Sequence, residues 1–543
     1  MPKIVINEVD LTKASLQPSP TDIAFVPGLS CLSDPTLDAT YCETISDFEE
    51  NFGKYPSIIN VYRVYSLNGT INFRERYYII NYNDFNRNFY DEIYRNFIYK
   101  RINKYGGSTL AGTTQLVLGY NTTLAPTEED IDSYLDACGF AIAPNQESVP
   151  EGSKTDYLDF DYDLSYVYAK ELIMAGIPVI YQVVEGSTYS EVLNSIEGYF
   201  TDAISNPDSI RDKGEFSIKY LTSGAYPSFA YTATKTSRSY DCENVEPSFA
   251  TNMLNLAGER GDCVALIDPA DCTNDSLDSS DNVIRDIYKE QLINPETVYE
   301  AATTLLDNIN FAEYGAFFVP WALYNTQANY NVGINSVTRL PQLDSVIMPP
   351  SFGYMMALAK SIRSNNNWLA IAGIARGQVP YIRGLYTTRR LTNKTAAETY
   401  QPRNGKTSLN GITDIKPYGL TIWGNRTMKN NEDNAMGGDD GLTATSFLNI
   451  RNMVSDVKKT AYIAAKTLMF EQNSDVLWVN FLSRITPLLD QLMSGQGLSD
   501  YKIVKNYTDE KAKLKATIIL YPIYAVEDFE ITIELRDEDV SVV

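Results

Sequence analysis

Several groups of residues have the types and spacing to do chemistry. Asp159, Asp161 and Asp163 recur at every second position, as carboxylates do in a calcium-binding loop. The sixth position of such a loop needs a glycine for its sharp turn, and here it is Leu164. The twelfth needs a bidentate glutamate, and here it is Lys170. An EF-hand is excluded; a solvated acidic loop is the reading, with a looser divalent site as its alternative. Asp439 and Asp440 adjoin in a glycine-rich stretch. Paired carboxylates do acid–base work where an apolar pocket raises one pKa, and nothing in the neighbouring sequence supplies that pocket. Arg260, Gly261 and Asp262 spell a cell-adhesion tripeptide, but they run straight into the apolar stretch CVALI, so a structural turn is the reading. Seven basic residues interleaved with tyrosines in 74–104 could stack bases. On an acidic chain they read more simply as a folded surface module.

The absences narrow the chemistry further. The chain has no histidine, which removes Ser-His-Asp and Cys-His catalysis, histidine-ligated metals and a histidine pH switch. Cys31, Cys42, Cys138, Cys242, Cys263 and Cys272 include no C-x-x-C pair and are too sparse for a disulfide framework. They read as free thiols in a reducing compartment. No phosphate-cradling glycine loop or nucleophile-elbow motif occurs. No cofactor and no metal are expected. With 45 basic and 69 acidic residues the net charge is −24, which argues against nucleic acid and anionic membrane surfaces as partners. It also means that any self-assembly must place its interfaces against repulsion. The first residues lack an apolar signal core, and no run of about 18 apolar residues appears, so cytoplasmic synthesis without membrane insertion is expected.

The 543 residues exceed a single core and predict several domains of mixed α/β and α+β class. Strands are expected at 21–28, 177–184, 263–267 and 314–319; the last three are apolar runs suited to a buried parallel sheet. Helices are expected at 46–52, 168–174, 191–203 and 351–363, the third capped by Ser190 and the fourth by Ser351. Residues 447–468 show an apolar stripe (Ile450, Val454, Val457, Ala461, Ala464, Leu468) and predict a long helix. A second follows at 475–493, with Pro487 inside it. The chain ends in two expected strands, 516–521 and 529–535. In the latter Phe529, Ile531, Ile533 and Leu535 alternate with polar residues. Ile4 and Ile6 alternate likewise near the start. Residues 56–165 differ in composition: aromatic and basic first, including a helical pattern through Phe89, Ile93 and Phe97, then eleven acidic residues against one lysine in 128–163. They read as an inserted outer domain.

Across 260–505 a series of segments resembles the contractile tail sheath family. In order these are ERGDCVALIDP at 259–269, AFFVPW at 316–321, Pro349-Pro350-Ser351 with its helix, AIAGIARG at 370–377 and LNGI at 409–412. GLTIWGNRT at 419–427, FLNIR at 447–451, FEQN at 470–473 and Leu477-Trp478 complete the series. Residues 6–10, 21–28 and 45–53 are similar more weakly, and 56–165 lie outside the resemblance. Trp321, Trp423, Arg426 and Trp478 read as core anchors. The resemblance implies an N-terminal arm at 1–20, a sheath core opening at 21–55, the insertion at 56–165, a middle α/β domain at 166–404, a C-terminal domain at 405–527 and a C-terminal strand arm at 528–543. It implies no active site. It further implies a homopolymer: a six-start helical sheath around a tail tube protein, bounded by baseplate and tail terminator proteins. Such a sheath forms part of a virion tail assembled in host cytoplasm and contracts to drive the tube through an envelope. The sheath of a phage-derived injection particle fits equally. Two other classes stay open: a glycosidase, which needs two carboxylates in an apolar cleft, and a static surface-layer or shell protein.

Overall fold

A computed structural model of the chain describes residues 22–29, 39–53, 58–67, 70–81, 116–118, 154–161, 164–184, 189–235, 240–243, 249–271, 311–328, 330, 345–362, 368–386, 408–429, 443–509 and 511–526. Within 58–161, 189–191, 229–243 and 270–271 the description covers backbone alone. The architecture is mixed α/β with several sheets.

Eight strands form the main sheet: β1 Ala24–Gly28, β2 Thr40–Cys42, β3 Val179–Val183, β4 Tyr220–Leu221, β5 Val264–Ile267, β6 Gly315–Val319, β7 Asn410–Ile415 and β8 Gly419–Trp423. Their spatial order is β8-β7-β6-β5-β4-β1-β3-β2. The six inner strands are parallel; β2 and β8 pair antiparallel at the two edges. Five helices serve this sheet: α1 Ile45–Phe52, α2 Leu164–Ala175, α3 Tyr189–Ser205, α4 Phe249–Arg260 and α5 Pro350–Ile362.

Parallel strands buried on both faces must be apolar at consecutive positions. Here Phe25, Ala265, Ile267, Phe317 and Val319 join a core with α3 and α4. The alternate residues Ala24, Val26, Val264, Leu266, Ala316 and Phe318 join a second core with α1, α2 and α5. The strands therefore read as unbroken apolar runs, which is why 263–267 and 314–319 were legible. The β8 edge is covered rather than open: Ile422 N donates to Gly377 O at 2.8 Å and Val379 N to Leu420 O at 3.1 Å.

Two more helices, α6 Leu448–Thr467 and α7 Asp475–Ser494, pack with the antiparallel hairpin Leu498–Asn506/Lys515–Pro522 around a third core. Smaller sheets lie at Tyr240–Glu243, Phe229–Lys235 and Pro269–Asp271, and at Ser345–Met348, Trp321–Asn325 and Ile382–Tyr386. Within 56–165 the described backbone is a separate four-stranded antiparallel sheet of Ile58–Leu67, Thr70–Asn81, Leu116–Leu118 and Lys154–Asp161.

That sheet corrects one expectation. Asp159 and Asp161 belong to a strand, opposite Asn60 and Ile58, so their spacing is the side-chain alternation of a strand rather than that of a loop. The helix expected through Phe89, Ile93 and Phe97 lies outside the described residues, as do Asp163, Asp439 and Asp440.

Candidate functional site

An open α/β sheet binds ligands in the crevice beyond the carboxyl ends of its strands, where the winding direction reverses. Here that point lies between β1 and β4, because the chain moves from β1 to β3 on one side and then to β4, β5 and β6 on the other. The N-termini of α2 and α5 arrive at the same place. Ser165 Oγ accepts from Ala225 N at 2.8 Å. Thr222 Oγ1 donates to Phe25 O at 2.7 Å, and Ser223 Oγ lies 3.1 Å from Ser228 Oγ. Asp268, just past β5, accepts from Ser351 N at 2.8 Å and Ser351 Oγ at 2.5 Å, and Tyr168 OH lies 3.1 Å from that hydroxyl. Ser351 therefore does not cap α5 as expected. It sits in the first turn behind Pro350, and Asp268 does the capping from a distant loop.

This crevice is filled by the protein. A methyl group on Gly28 would stand 2.2 Å from Tyr181 Oη and 2.7 Å from Ser165 Cβ; one on Gly224 would stand 2.2 Å from Ser165 Oγ. Burial pushes the Asp268 carboxyl up to about 7 against the opposing pull of its bonds to Ser351. That perturbed carboxylate is fully enclosed and committed to a helix terminus, so it has no route to a substrate.

A second polar layer lies at the other end of the same strands. Asp22, Lys219 and Asp262 lead into β1, β4 and β5, which are neighbours in the sheet. Lys219 is fully buried and pairs with Asp22 at 2.8 Å and with Asp456 of α6 at 2.9 Å. Burial alone would lower its ammonium; the two carboxylates reverse this and hold it above the ordinary lysine range. Arg260 is also buried. It grips Asp262 at 3.1 and 3.2 Å and donates to Phe216 O at 2.8 Å. Gly261 between them takes φ +67°. The adhesion-like tripeptide is thus an enclosed turn. Lys459, next along α6, is buried beside these groups, and burial draws its amine down to about 8.

The segments that carry the family resemblance touch one another. Asp268 meets Ser351. Asn410 binds Phe317 O at 3.1 Å and clasps Arg426 through O at 2.8 Å and N at 2.9 Å. The Arg426 guanidinium lies 4.3 Å from the centre of the Phe447 ring. Asn425 donates to Asn449 at 2.7 Å. Of the residues expected as anchors, Trp321 is wholly buried with Nε1 donating to Pro269 O at 2.7 Å, and Arg426 is buried. Trp423 and Trp478 are half-buried, the latter stacked on Phe481. Trp368, which the sequence reading passed over, is buried, donates to Gly495 O at 2.8 Å and packs against Gly495 and Gly497. The glycine pair G-x-G at 495–497 was its only signal. Ile4, Ile6, Phe529, Ile531, Ile533 and Leu535 lie outside the described residues.

Cys42 and Cys263 are free, buried thiols that burial pushes up to about 12. Among the described residues no histidine, cysteine and carboxylate group is placed to hold a metal, and no helix is long and apolar enough to cross a membrane.

The fold and these layers define a multi-sheet α/β protein whose buried ion pairs and capping bonds join its own strands and helices. No family model matches the sequence, and no curated protein matches it. Among solved structures the chain is similar to one in the contracted helical sheath of the anti-feeding prophage (14% identity, 99% of this chain and 99% of that one, TM-score 0.42). It is similar to a chain in the contracted baseplate of that particle (16%, 68% and 85%, TM-score 0.43). A third likeness is to a chain of the contracted sheath complex of an extracellular contractile injection system (16%, 50% and 71%, TM-score 0.34).

Proposed function

We propose that this chain is a structural subunit of a contractile tail sheath. It polymerises around a tail tube, is bounded by baseplate and terminator proteins, and contracts to drive the tube through a host envelope. It does this without an active site. The observation that carries the reading is the use made of the family-like residues. Asp268, Ser351, Asn410, Asn425, Arg426 and Phe447 are interlocked in the buried junction of β5, β6, β7, β8, α5 and α6, and the crevice where an α/β enzyme would hold a ligand is packed with side chains. Such a body is built to stay rigid while its surroundings move.

The joints are the termini. Ile4 and Ile6, and Phe529, Ile531, Ile533 and Leu535, pattern as one-sided strands, and a strand presents unpaired backbone donors and acceptors. A two-stranded piece alone is marginal in water. The hairpin Leu498–Asn506/Lys515–Pro522 is two-stranded among the described residues; one face packs on α6 and α7, and its edges are where further strands would add. Residues 1–9 and 528–536 of adjacent subunits add strands to it, main-chain bonds supplying affinity and alternate side chains the register. Residues 56–165 form an outer domain that polymerisation does not need. A virion tail and a phage-derived injection particle are both served by this mechanism; the first is our reading.

Negative-stain microscopy of the purified chain tests it. Tubes support a sheath, while flat or closed lattices support a static shell protein. Turnover of a polysaccharide that vanishes with one carboxylate pair would support a glycosidase instead.

A further inference from the structure

The charge of the chain is unevenly placed. Residues 448–526 carry ten basic and seven acidic side chains, whereas the rest carries 35 basic and 62 acidic. Within the basic part, directly opposed residues of the hairpin share a face. Tyr501 with Leu520, and Ile503 with Ile518, turn toward the core shared with α7; Tyr501 Oη donates to Asp490 at 2.6 Å and Lys505 pairs with Asp475 at 3.1 Å. The opposite face presents Asp500 with Tyr521, Lys502 with Ile519, Val504 with Thr517, and Asn506 with Lys515. Lys502 and Lys515 are exposed, and Ile519 and Tyr521 are 36% and 47% exposed. Four cross-strand pairs thus form a surface of apolar side chains with two lysines and one aspartate, net basic on a strongly acidic molecule.

We propose that this face of the hairpin docks onto the acidic surface of a second copy of the chain, at α1 and the adjoining strand β2. Residues 39–53 contain four carboxylates and no basic residue. Glu43, Asp47 and Glu50 are exposed near Tyr41, itself 41% exposed on β2; the Asp47 carboxylate also accepts from Thr44 N. The two surfaces are complementary in charge, and each offers an aromatic ring within a polar rim, as protein interfaces do. They are different patches of one chain, so the contact is heterologous. Joined head to tail, each end copy keeps one partner surface free, and repetition extends into a helical filament where the rotation does not close into a ring. The inference rests on the sheath reading and adds to it a side-on contact separate from strand exchange, which uses the hairpin's edges rather than its face.

Charge reversal on each side tests this, read by sedimentation of the full chain with circular dichroism as the folding control. We expect Lys502→Glu/Lys515→Glu and Glu43→Lys/Glu50→Lys each to weaken self-association about tenfold or more. An equimolar mixture of the two should recover it, since each variant carries the complement the other needs. Raising salt to about 0.5 M should weaken the wild type in the same direction. Lys502→Gln/Lys515→Gln, which removes charge without reversing it, should give a smaller loss. Variants that associate like the wild type, or a mixture that fails to recover, overturn the docking and leave the sheath reading in place if wild-type tubes form. A wild-type chain that never associates overturns both.

Discussion

Asp268 and Ser351 lie 83 residues apart in the chain and are joined twice, the Ser351 amide and hydroxyl each donating to one oxygen of a carboxylate that is wholly enclosed. The bond ties the loop after β5 to the N-terminus of α5, and so one strand of the sheet to the helix that covers its neighbours. Replacing Asp268 with alanine strands both donors and removes the helix cap, at a cost of about 2–4 kcal/mol. Urea unfolding of the variant measures it.

The same carboxylate makes stability depend on pH. Its folded-state pKa is raised by burial to about 7, from an ordinary value of 3.8. The folded state therefore binds the proton more tightly than the unfolded state between those values. The stabilisation is fully present below about pH 4 and is lost as pH rises through 7. We expect Asp268→Asn to lack this component, so that the melting temperature of the wild type falls relative to the variant from pH 5 to about 7 and the gap is constant above that. Parallel curves would show that the carboxylate does not titrate in this range.

Lys219 and Lys505 make a contrast that burial decides. Lys219→Met removes the ammonium that pairs with both Asp22 and Asp456 and leaves two buried carboxylates without it, for a loss of about 3–5 kcal/mol. Lys505→Ala breaks a pair whose side chains are 40% and 99% exposed, and should cost less than about 0.5 kcal/mol. Denaturant midpoints of the two variants, measured side by side, check the order.

Two glycines test whether the crevice at β1 is filled. Gly28→Ala forces a methyl against Tyr181 and Ser165, for a loss of about 1–3 kcal/mol. At Gly198, on the exposed side of α3, a methyl meets nothing within 4 Å, and alanine should stabilise by about 0.5–1 kcal/mol through helix propensity and the unfolded chain. A neutral Gly28→Ala would mean the crevice is open, which would revive a ligand site.

What could be read from the sequence followed burial. β5 and β6 were legible because strands covered on both faces must be apolar throughout, and α6 because its stripe repeats with the helical period. The strand Leu498–Asn506 was not, since only one of its faces is covered and its lysines mimic a polar segment. β4 has two residues and carries no period at all. Alternation at Asp159 and Asp161 resembles a metal loop because strand and loop share the same odd spacing. The site was least legible. Lys219 and Asp456 are 237 residues apart, and no local pattern marks two charges as partners when the fold alone brings them together.

In the proposed polymer, subunits are joined by their terminal strands. Electron microscopy of the full-length chain beside a variant lacking residues 1–9 and the variant Ile531→Asp/Ile533→Asp tests it most directly. We expect tubes from the wild type, and from both variants a folded monomer with unchanged circular dichroism and no tubes. Tubes from the deletion together with an unfolded C-terminal domain in the double substitution would mean that these strands pair within their own chain. A wild type that forms only monomers, flat lattices or closed shells would contradict the sheath account itself.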